Sequence, residues 1–285
     1  MLTLLHCAIR LTGMGSIIDT IQSRTSWRTY SREKLSTEDR AKITTYIQQD
    51  QKTPFGSKPR FTLIDYATDE QQLGTYGFIK DAQHFIAGAT KTAPMNNEDY
   101  GYALEKIILY ATDLGLGTCW LGGTFNRQGF TKETAMEPGE ELPAVTPIGY
   151  KADRRLLDQL MRRAAGSANR KPWSQLFYNK QFTPLSPEEA GIYAKAFEMV
   201  RLAPSASNGQ PWVLILDEDT VHFYHNGKTD YSKYKQLDMG IAFSHLELTL
   251  NHQNIHGEWI TEDPGYTSGK TGYVASWTRI TPSDS

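Results

Sequence analysis

The sequence predicts an α+β fold built from two copies of one unit, packed against each other as an internal dimer. Strong helix signals alternate with short apolar strand signals, and the same short motifs recur in the same order in both halves. The length of 285 residues is comfortable for two packed halves. The predicted halves are residues 17–160 and 161–285.

The element signals are clearest in the first half. Leu35 to Asp39 is typical of a helix start, with Ser36 as the N-cap and Asp39 three residues further on. Apolar side chains from Asn97 to Leu114 follow the helical period, and Gly115 and Gly117 end that helix. The predicted strands of this half are Phe61 to Asp65, Phe78 to Ile86 and Ala144 to Tyr150.

Four pairs of short matches carry the internal repeat. Each match is weak alone, but the four occur in the same order, and Trp120 and Trp259 lie at equal distances beyond the last pair. The pairs are Arg24 to Trp27 with Arg170 to Trp173, Leu35 to Asp39 with Leu185 to Glu189, Pro59 to Asp65 with Pro211 to Asp217, and Asp99 to Ala103 with Asp238 to Ala242.

Composition excludes several classes of protein. A formal net charge of -2 gives no electrostatic case for nucleic acid or an anionic membrane surface. No apolar run approaches the roughly 20 residues that span a bilayer. Two cysteines and seven scattered histidines predict neither a disulfide framework nor a metal site. We expect a cytoplasmic, reduced protein in which residues 1–16 form a disordered extension and translation starts at Met1 or Met14.

The stretch from Arg201 to Trp212, RLAPSASNGQPW, follows an amphipathic helix and leads into the apolar run from Val213 to Leu216. Its hydroxyl and amide side chains, at the edge of a sheet, suit the donors and acceptors along a planar heterocycle. A turn that only caps a helix and starts a strand explains the same residue types equally well. The polar residues concerned are Ser205, Ser207, Asn208 and Gln210.

Arg24, Ser26 and Arg28 occupy alternate positions, so in an extended segment they face the same way and form a workable phosphate clamp. A solvated basic stretch is the alternative. Arg154 and Arg155 either add positive charge from another direction or are surface arginines, and the residues alone leave this open.

Glycines in GLGTCWLGG, among them Gly122 and Gly123, permit close approach of the backbone to a flat ring, although a helix-ending turn has the same composition. Cys119 has no histidine nearby in sequence and is interpreted as a small buried residue. Trp120, Trp212 and Trp259 are interpreted as core residues.

The stretches RTSWRTY, GLGTCWLGG and APSASNGQPW resemble the signatures of the flavin-dependent nitroreductase family, in its single-chain, internally duplicated branch. The resemblance implies central, mainly antiparallel sheets flanked by helices, and FMN bound between the halves. It implies that Arg24 and Ser26 hold the FMN phosphate, with Arg154 or Arg155 closing that site. Arg28 would lie near the phosphate or the flavin N1/O2 edge, and Gly122 and Gly123 near N5. The residues implied to line the cofactor from the second half are Pro204, Ser205, Ala206, Asn208 and Gln210.

The resemblance also implies an activity. An FMN-dependent oxidoreductase would pass hydride from NAD(P)H through flavin N5 to an electron-poor acceptor such as a nitroaromatic or a quinone, so no catalytic side chain is required. The alternatives are a flavin-binding protein without turnover (a sensor, a carrier or a pseudo-enzyme) and an enzyme that oxidises a small metabolite. The two copies differ in complementary motifs, which predicts one FMN per chain and permits a monomer.

Overall fold

A computed structural model describes residues 15–49, 52–66, 74–153, 159–160, 166, 169–227, 230–266 and 271–280. Most of the predicted N-terminal extension, with Met1 and Met14, lies outside these ranges, as do Arg154 and Arg155. The boundary between the halves at residues 160 and 161 stays a prediction, because most of the residues around it also lie outside the described ranges.

The first half carries a five-stranded antiparallel sheet with helices packed on it. The strand order is β1-β2-β5-β3, and β4 pairs with the end of β2. The elements in chain order are α1 (Ile17–Ser23), α2 (Thr37–Gln48), β1 (Arg60–Asp65), β2 (His84–Lys91), α3 (Asn96–Asp113), β3 (Gly117–Thr118), α4 (Arg127–Glu133), β4 (Glu140–Glu141) and β5 (Val145–Gly149).

The second half repeats the α+β pattern with its own five-stranded sheet, in the order β6-β7-β8-β10-β9. The β6–β7 pair is parallel and the other described pairs are antiparallel. The predicted mainly antiparallel, duplicated α+β fold is therefore confirmed. The elements are β6 (Phe177–Asn179), α5 (Ala194–Leu202), β7 (Trp212–Asp217), β8 (Thr220–Asn226), α6 (Lys233–His252), β9 (Gly257–Ile260) and β10 (Thr271–Arg279).

The local predictions of the first half hold where the signal is strong. The N–H of Asp39 donates to the Ser36 hydroxyl over 3.0 Å, so the predicted N-cap of α2 is confirmed. The predicted second strand begins later than expected, at His84. The chain turns first, with the N–H of Phe78 bonded to the carbonyl of Thr75 and a left-handed backbone at Asp81 (φ 60°).

Leu185 to Glu189 is the second copy of the predicted helix start. Its N-terminal cap forms, but no α-helix follows it directly. Ser186 and Glu189 bond each other reciprocally, since each main-chain N–H donates to the other side chain, over 2.7 and 3.2 Å. Gly191 then adopts a left-handed backbone (φ 54°), which a continuous α-helix does not allow. Helix α5 therefore begins only at Ala194.

The two halves meet where the long helices α3 and α6 cross. Gly101 and Gly240 lie at this crossing, each two residues after the aspartate of the repeated motif. A Cβ atom on Gly240 would lie 1.9 Å from the carbonyl oxygen of Glu98, and one on Gly101 would lie 2.3 Å from that of Leu237. Only glycine permits such a close approach of two backbones, so the repeated glycine sets how the halves pack.

Candidate functional site

A cavity of about 460 Å³ lies between the two halves. Its volume is within the usual range for small-molecule sites. Of the predicted site residues that the structure describes, all line it except Gln210. Arg154 and Arg155 lie outside the described residues. The lining residues are Arg24, Thr25, Ser26, Arg28, Trp120, Gly122, Gly123 and Thr124 from the first half, and Arg170, Pro204, Ser205, Ala206, Ser207, Asn208, Tyr234, Leu237, Asp238 and Ile241 from the second.

The segment that follows α1 brings its arginines to the cavity by alternation. Ser26 forms a bridge with Thr118 of β3, and the main-chain N–H of Trp27 donates to the Thr118 carbonyl over 2.7 Å. The Trp27 indole points elsewhere and donates to the carbonyl of Ala152 over 3.1 Å. Arg24, Ser26 and Arg28 all line the cavity, as the extended pattern predicts.

Arg24 is a buried cation whose charge is only partly compensated. Its side chain is 6% exposed, and its Nε has no hydrogen-bond partner among the described residues. The nearest carboxylate, on the fully buried Glu105, lies 3.8 Å away. That carboxylate also accepts the indole N–H of Trp120 over 2.6 Å and lies 3.0 Å from Nε2 of His245. A buried polar group without a partner is costly, so this end of the cavity favours an anion.

The loop between α5 and β7 forms the opposite wall and is anchored to α6. The main-chain N–H of Ala206 donates to the Asp238 carboxylate over 3.0 Å. Three of the loop's non-glycine residues, Ser207, Asn208 and Gln210, have left-handed backbones with φ of 50°, 55° and 44°. Such conformations cost free energy and cluster at ligand sites, which agrees with the prediction that this loop binds a ligand.

Two of the predicted loop residues, Asn208 and Gln210, are held by hydrogen bonds within the protein. The Asn208 amide lines the cavity, but its NH₂ group donates to the carbonyls of Gly166 and Asn169, over 2.8 and 2.7 Å. Gln210 does not line the cavity. It is 2% exposed and its side-chain oxygen accepts the main-chain N–H of Lys171 over 2.9 Å. The structure therefore does not bring Gln210 to the cavity wall, and its role as a cofactor contact stays a prediction without support.

Gly122 and Gly123 pack beneath the ring of Tyr234, a half-exposed residue in the first turn of α6. A Cβ atom on Gly122 would lie 2.8 Å from Cε1 of that ring, and one on Gly123 would lie 2.7 Å from its hydroxyl oxygen. The part of the cavity beside these three residues, called the slot below, has a glycine wall without side chains, and the Tyr234 ring lies against that wall. The approach of a ligand's flat ring to the two glycines stays a prediction.

Sequence reasoning missed one face of α6. Tyr234, Leu237, Asp238 and Ile241 line the cavity, and their spacing of three, one and three residues places them on one side of the helix. The available signal was the aspartate repeat, which predicts that Asp238 is the counterpart of Asp99. Trp120, interpreted from sequence as a core residue, also lines the cavity, because Glu105 holds its indole there.

Sequence reasoning also missed Arg170 as a residue of this site, because its match with Arg24 in the internal repeat placed it in the symmetry-related copy of the site. Its guanidinium donates to the Leu202 carbonyl over 2.8 Å and to the side-chain oxygen of Asn208. Burial, followed by the charges of Arg24 and Arg201, lowers the pKa of Arg170 to about 10. The two copies of the repeated motif, which begin at Arg24 and Arg170, thus supply two neighbouring cations to one cavity.

Burial raises the pKa of Asp238 to about 7, and the N–H of Ala206 offsets only part of this effect. The folded protein therefore binds more protons than the unfolded chain between about pH 4 and 7, so the free energy of unfolding falls as pH rises through this window. In the ligand-free protein, this fall in the free energy of unfolding should amount to about 2 kcal/mol or more between pH 5 and 8. We expect Asp238→Asn to abolish it. Urea unfolding of both proteins at the two pH values measures it.

The exposed substitution Asp230→Asn is the matched control for this prediction and should leave the pH dependence unchanged. The asparagine at position 238 can still accept the Ala206 N–H, so the loop anchor is kept. An identical pH slope in the parent and in Asp238→Asn would contradict the prediction.

The part of the chain that the structure describes contains no group of three His, Cys, Asp or Glu side chains placed to hold a metal ion. None of the helices in the same ranges combines the length and the apolar character that crossing a membrane requires.

Fold and cavity together define a duplicated α+β protein with an arginine-lined pocket between its halves. The model of a family described as "Putative TM nitroreductase" matches residues 16–250. The chain belongs to this nitroreductase family, and its class is that of the oxidoreductases. A comparison with curated proteins gave no match.

Two solved nitroreductase structures are similar to this chain. A "putative nitroreductase" of Thermotoga maritima is 19% identical with a TM-score of 0.61, and the match covers 93% of this chain and 94% of that one. A nitroreductase with bound FMN from Bacteroides fragilis is 18% identical with a TM-score of 0.40, and covers 50% of this chain and 90% of its own. The first match, which spans nearly the whole chain, shows that the duplicated fold is shared.

Proposed function

We propose that this chain binds one FMN between its halves and passes hydride from NAD(P)H to an electron-poor acceptor such as a nitroaromatic or a quinone. The observation that carries the proposal is a single cavity in which Arg24, a buried and incompletely paired cation, is joined to a slot walled by Gly122 and Gly123. A phosphate ester on a planar ring system matches both features.

The residues present fit this cofactor. Arg24 and Ser26 would hold the phosphate, since a guanidinium and a hydroxyl supply charged and neutral donors to its oxygens. Arg28 adds a further positive charge to the cavity, which would stabilise negative charge on the reduced cofactor. When bound, FMN would supply the hydride chemistry.

The second half would complete the site. The strained loop from Pro204 to Asn208 closes one wall, and Trp120, Leu237 and Ile241 provide apolar surface that excludes water. The glycine pair adds no side chain to its wall of the cavity, and the ring of Tyr234 packs against that wall. Tyr234 lies half-exposed over this slot and would contact the acceptor or the nicotinamide.

The test is spectroscopic. The purified protein, reconstituted with FMN, should be yellow and should bleach when NADH or NADPH is added without oxygen. A bound flavin that stays oxidised with both nicotinamides would favour the alternative of a flavin-binding protein without turnover. A protein that takes up no FMN would overturn both.

We expect one FMN per chain, because aromatic side chains cluster at the symmetry-related counterpart of the cavity. Asp99 accepts the N–H of Phe55 over 2.9 Å, as Asp238 accepts that of Ala206, so Phe55 of the first half is the counterpart of Ala206 at that position. Its ring lies 5.9 Å from that of Phe243 and 6.3 Å from that of Trp259, the counterpart of Trp120. An absorbance titration that ends at two FMN per chain would contradict this expectation.

A further inference from the structure

Arg170 reaches the cavity from the second half and is held in place there. Its contacts with the Leu202 carbonyl and the Asn208 side chain use two of the five N–H donors of the guanidinium. Both partners belong to the end of α5 and the loop that follows it. The side chain is therefore fixed at the cavity wall with donors left over for a ligand.

The charges around Arg170 are unbalanced. The described residues place no carboxylate within ion-pair distance of it, whereas its neighbour Arg201 is paired with Glu198 at 2.7 Å. Arg24, which lines the same cavity, repels it and shares one carboxylate, that of Glu105, with His245 and Trp120. Two neighbouring guanidinium groups with so little compensation favour binding of a ligand that carries more than one negative charge.

We propose that Arg170 is a second ligand of the FMN phosphate, so that one phosphate is held by guanidinium groups from both halves. The inference rests on the proposed function and deepens it. By its place in the repeat, Arg170 belongs to the symmetry-related counterpart of the cavity, where Phe55 packs near Phe243 and Trp259. The structure instead places Arg170 at the same cavity as Arg24, the residue that it matches in the internal repeat.

The consequence is selectivity. Arg24 and Arg170 together would make the cavity prefer FMN over riboflavin, which carries the same ring without the phosphate. A residue that only supported the loop would affect both flavins equally, since both place the same ring in the slot. The ratio of the two affinities therefore isolates the contact with phosphate from any structural role.

The experiment compares the full-length parent with Arg170→Gln, using flavin fluorescence to measure dissociation constants for FMN and riboflavin. We expect FMN to bind about tenfold to a hundredfold more weakly to the variant, the usual range for a lost charged hydrogen bond. Riboflavin should bind within about twofold of the parent, so the preference for FMN largely disappears.

Arg201→Gln is the matched control, because it removes a neighbouring arginine that is already paired and does not line the cavity; the preference for FMN should persist. Arg170→Lys keeps a charge but not the guanidinium fork, and should retain part of the preference even if Arg170→Gln folds poorly. A parent that prefers FMN, with both Arg170 variants keeping that preference in full, would overturn this inference alone. A parent that binds neither flavin would overturn the proposed function and the inference with it.

Discussion

Arg24→Ala is expected to weaken FMN binding by about 1.5 to 3 kcal/mol, the usual cost of losing a charge-assisted hydrogen bond. The residue is buried, its Nε lacks a partner among the described residues, and its nearest carboxylate lies 3.8 Å away. Its charge is therefore available to a ligand, in contrast to that of a surface arginine in a formed ion pair. Titration of the apoprotein with FMN, followed by flavin fluorescence, measures the loss.

Arg32→Ala provides the control for Arg24→Ala. Arg32 lies in the same half, and its side chain is 82% exposed and pairs with Asp81 at 3.4 Å. Removing it should leave the dissociation constant for FMN within about twofold, because exposed ion pairs and distant surface charges contribute little. Equal affinities of the parent and Arg24→Ala would show that the phosphate binds elsewhere in the cavity.

Gly240→Ala is expected to destabilise the whole protein by about 3 kcal/mol or more, at the upper end of overpacking effects. In an ordinary helix the same change stabilises by roughly 0.5 to 1 kcal/mol, so the sign of the effect is itself diagnostic. The new Cβ atom would lie 1.9 Å from the carbonyl oxygen of Glu98 and 2.7 Å from the main-chain nitrogen of Tyr102. Both are backbone atoms of α3, which cannot move without shifting the helix.

Urea unfolding at one pH measures this change in the free energy of unfolding. Gly74→Ala is the control, because a Cβ atom there would meet no heavy atom within 4 Å, and its expected effect is within about 0.5 kcal/mol. Gly240→Ala should also weaken FMN binding, since separating α3 from α6 moves Leu237 and Asp238 away from the first half. A variant that is more stable than the parent would rule out the close crossing.

The sequence predicted the elements, and many of the residues that line the cavity, wherever the signal is local. Capping at Ser36 and the helix that became α3 depend on residues within a few positions of each other. The alternation of Arg24, Ser26 and Arg28 depends only on an extended backbone. Local signals failed at Gly191, whose left-handed backbone delays the start of α5. They also could not show that the Gln210 side chain bonds Lys171 and does not line the cavity.

Sequence by itself determined that the chain is a duplicated α+β protein with alternating arginines near its start and a polar loop in its second half. Tertiary structure decided that these two segments line one cavity, that Arg170 joins Arg24 there, and that Phe55 packs near Phe243 and Trp259 at the counterpart position. The physical reason is distance along the chain. Contacts between residues more than a hundred positions apart depend on how closely α3 and α6 cross, and no local pattern specifies that approach.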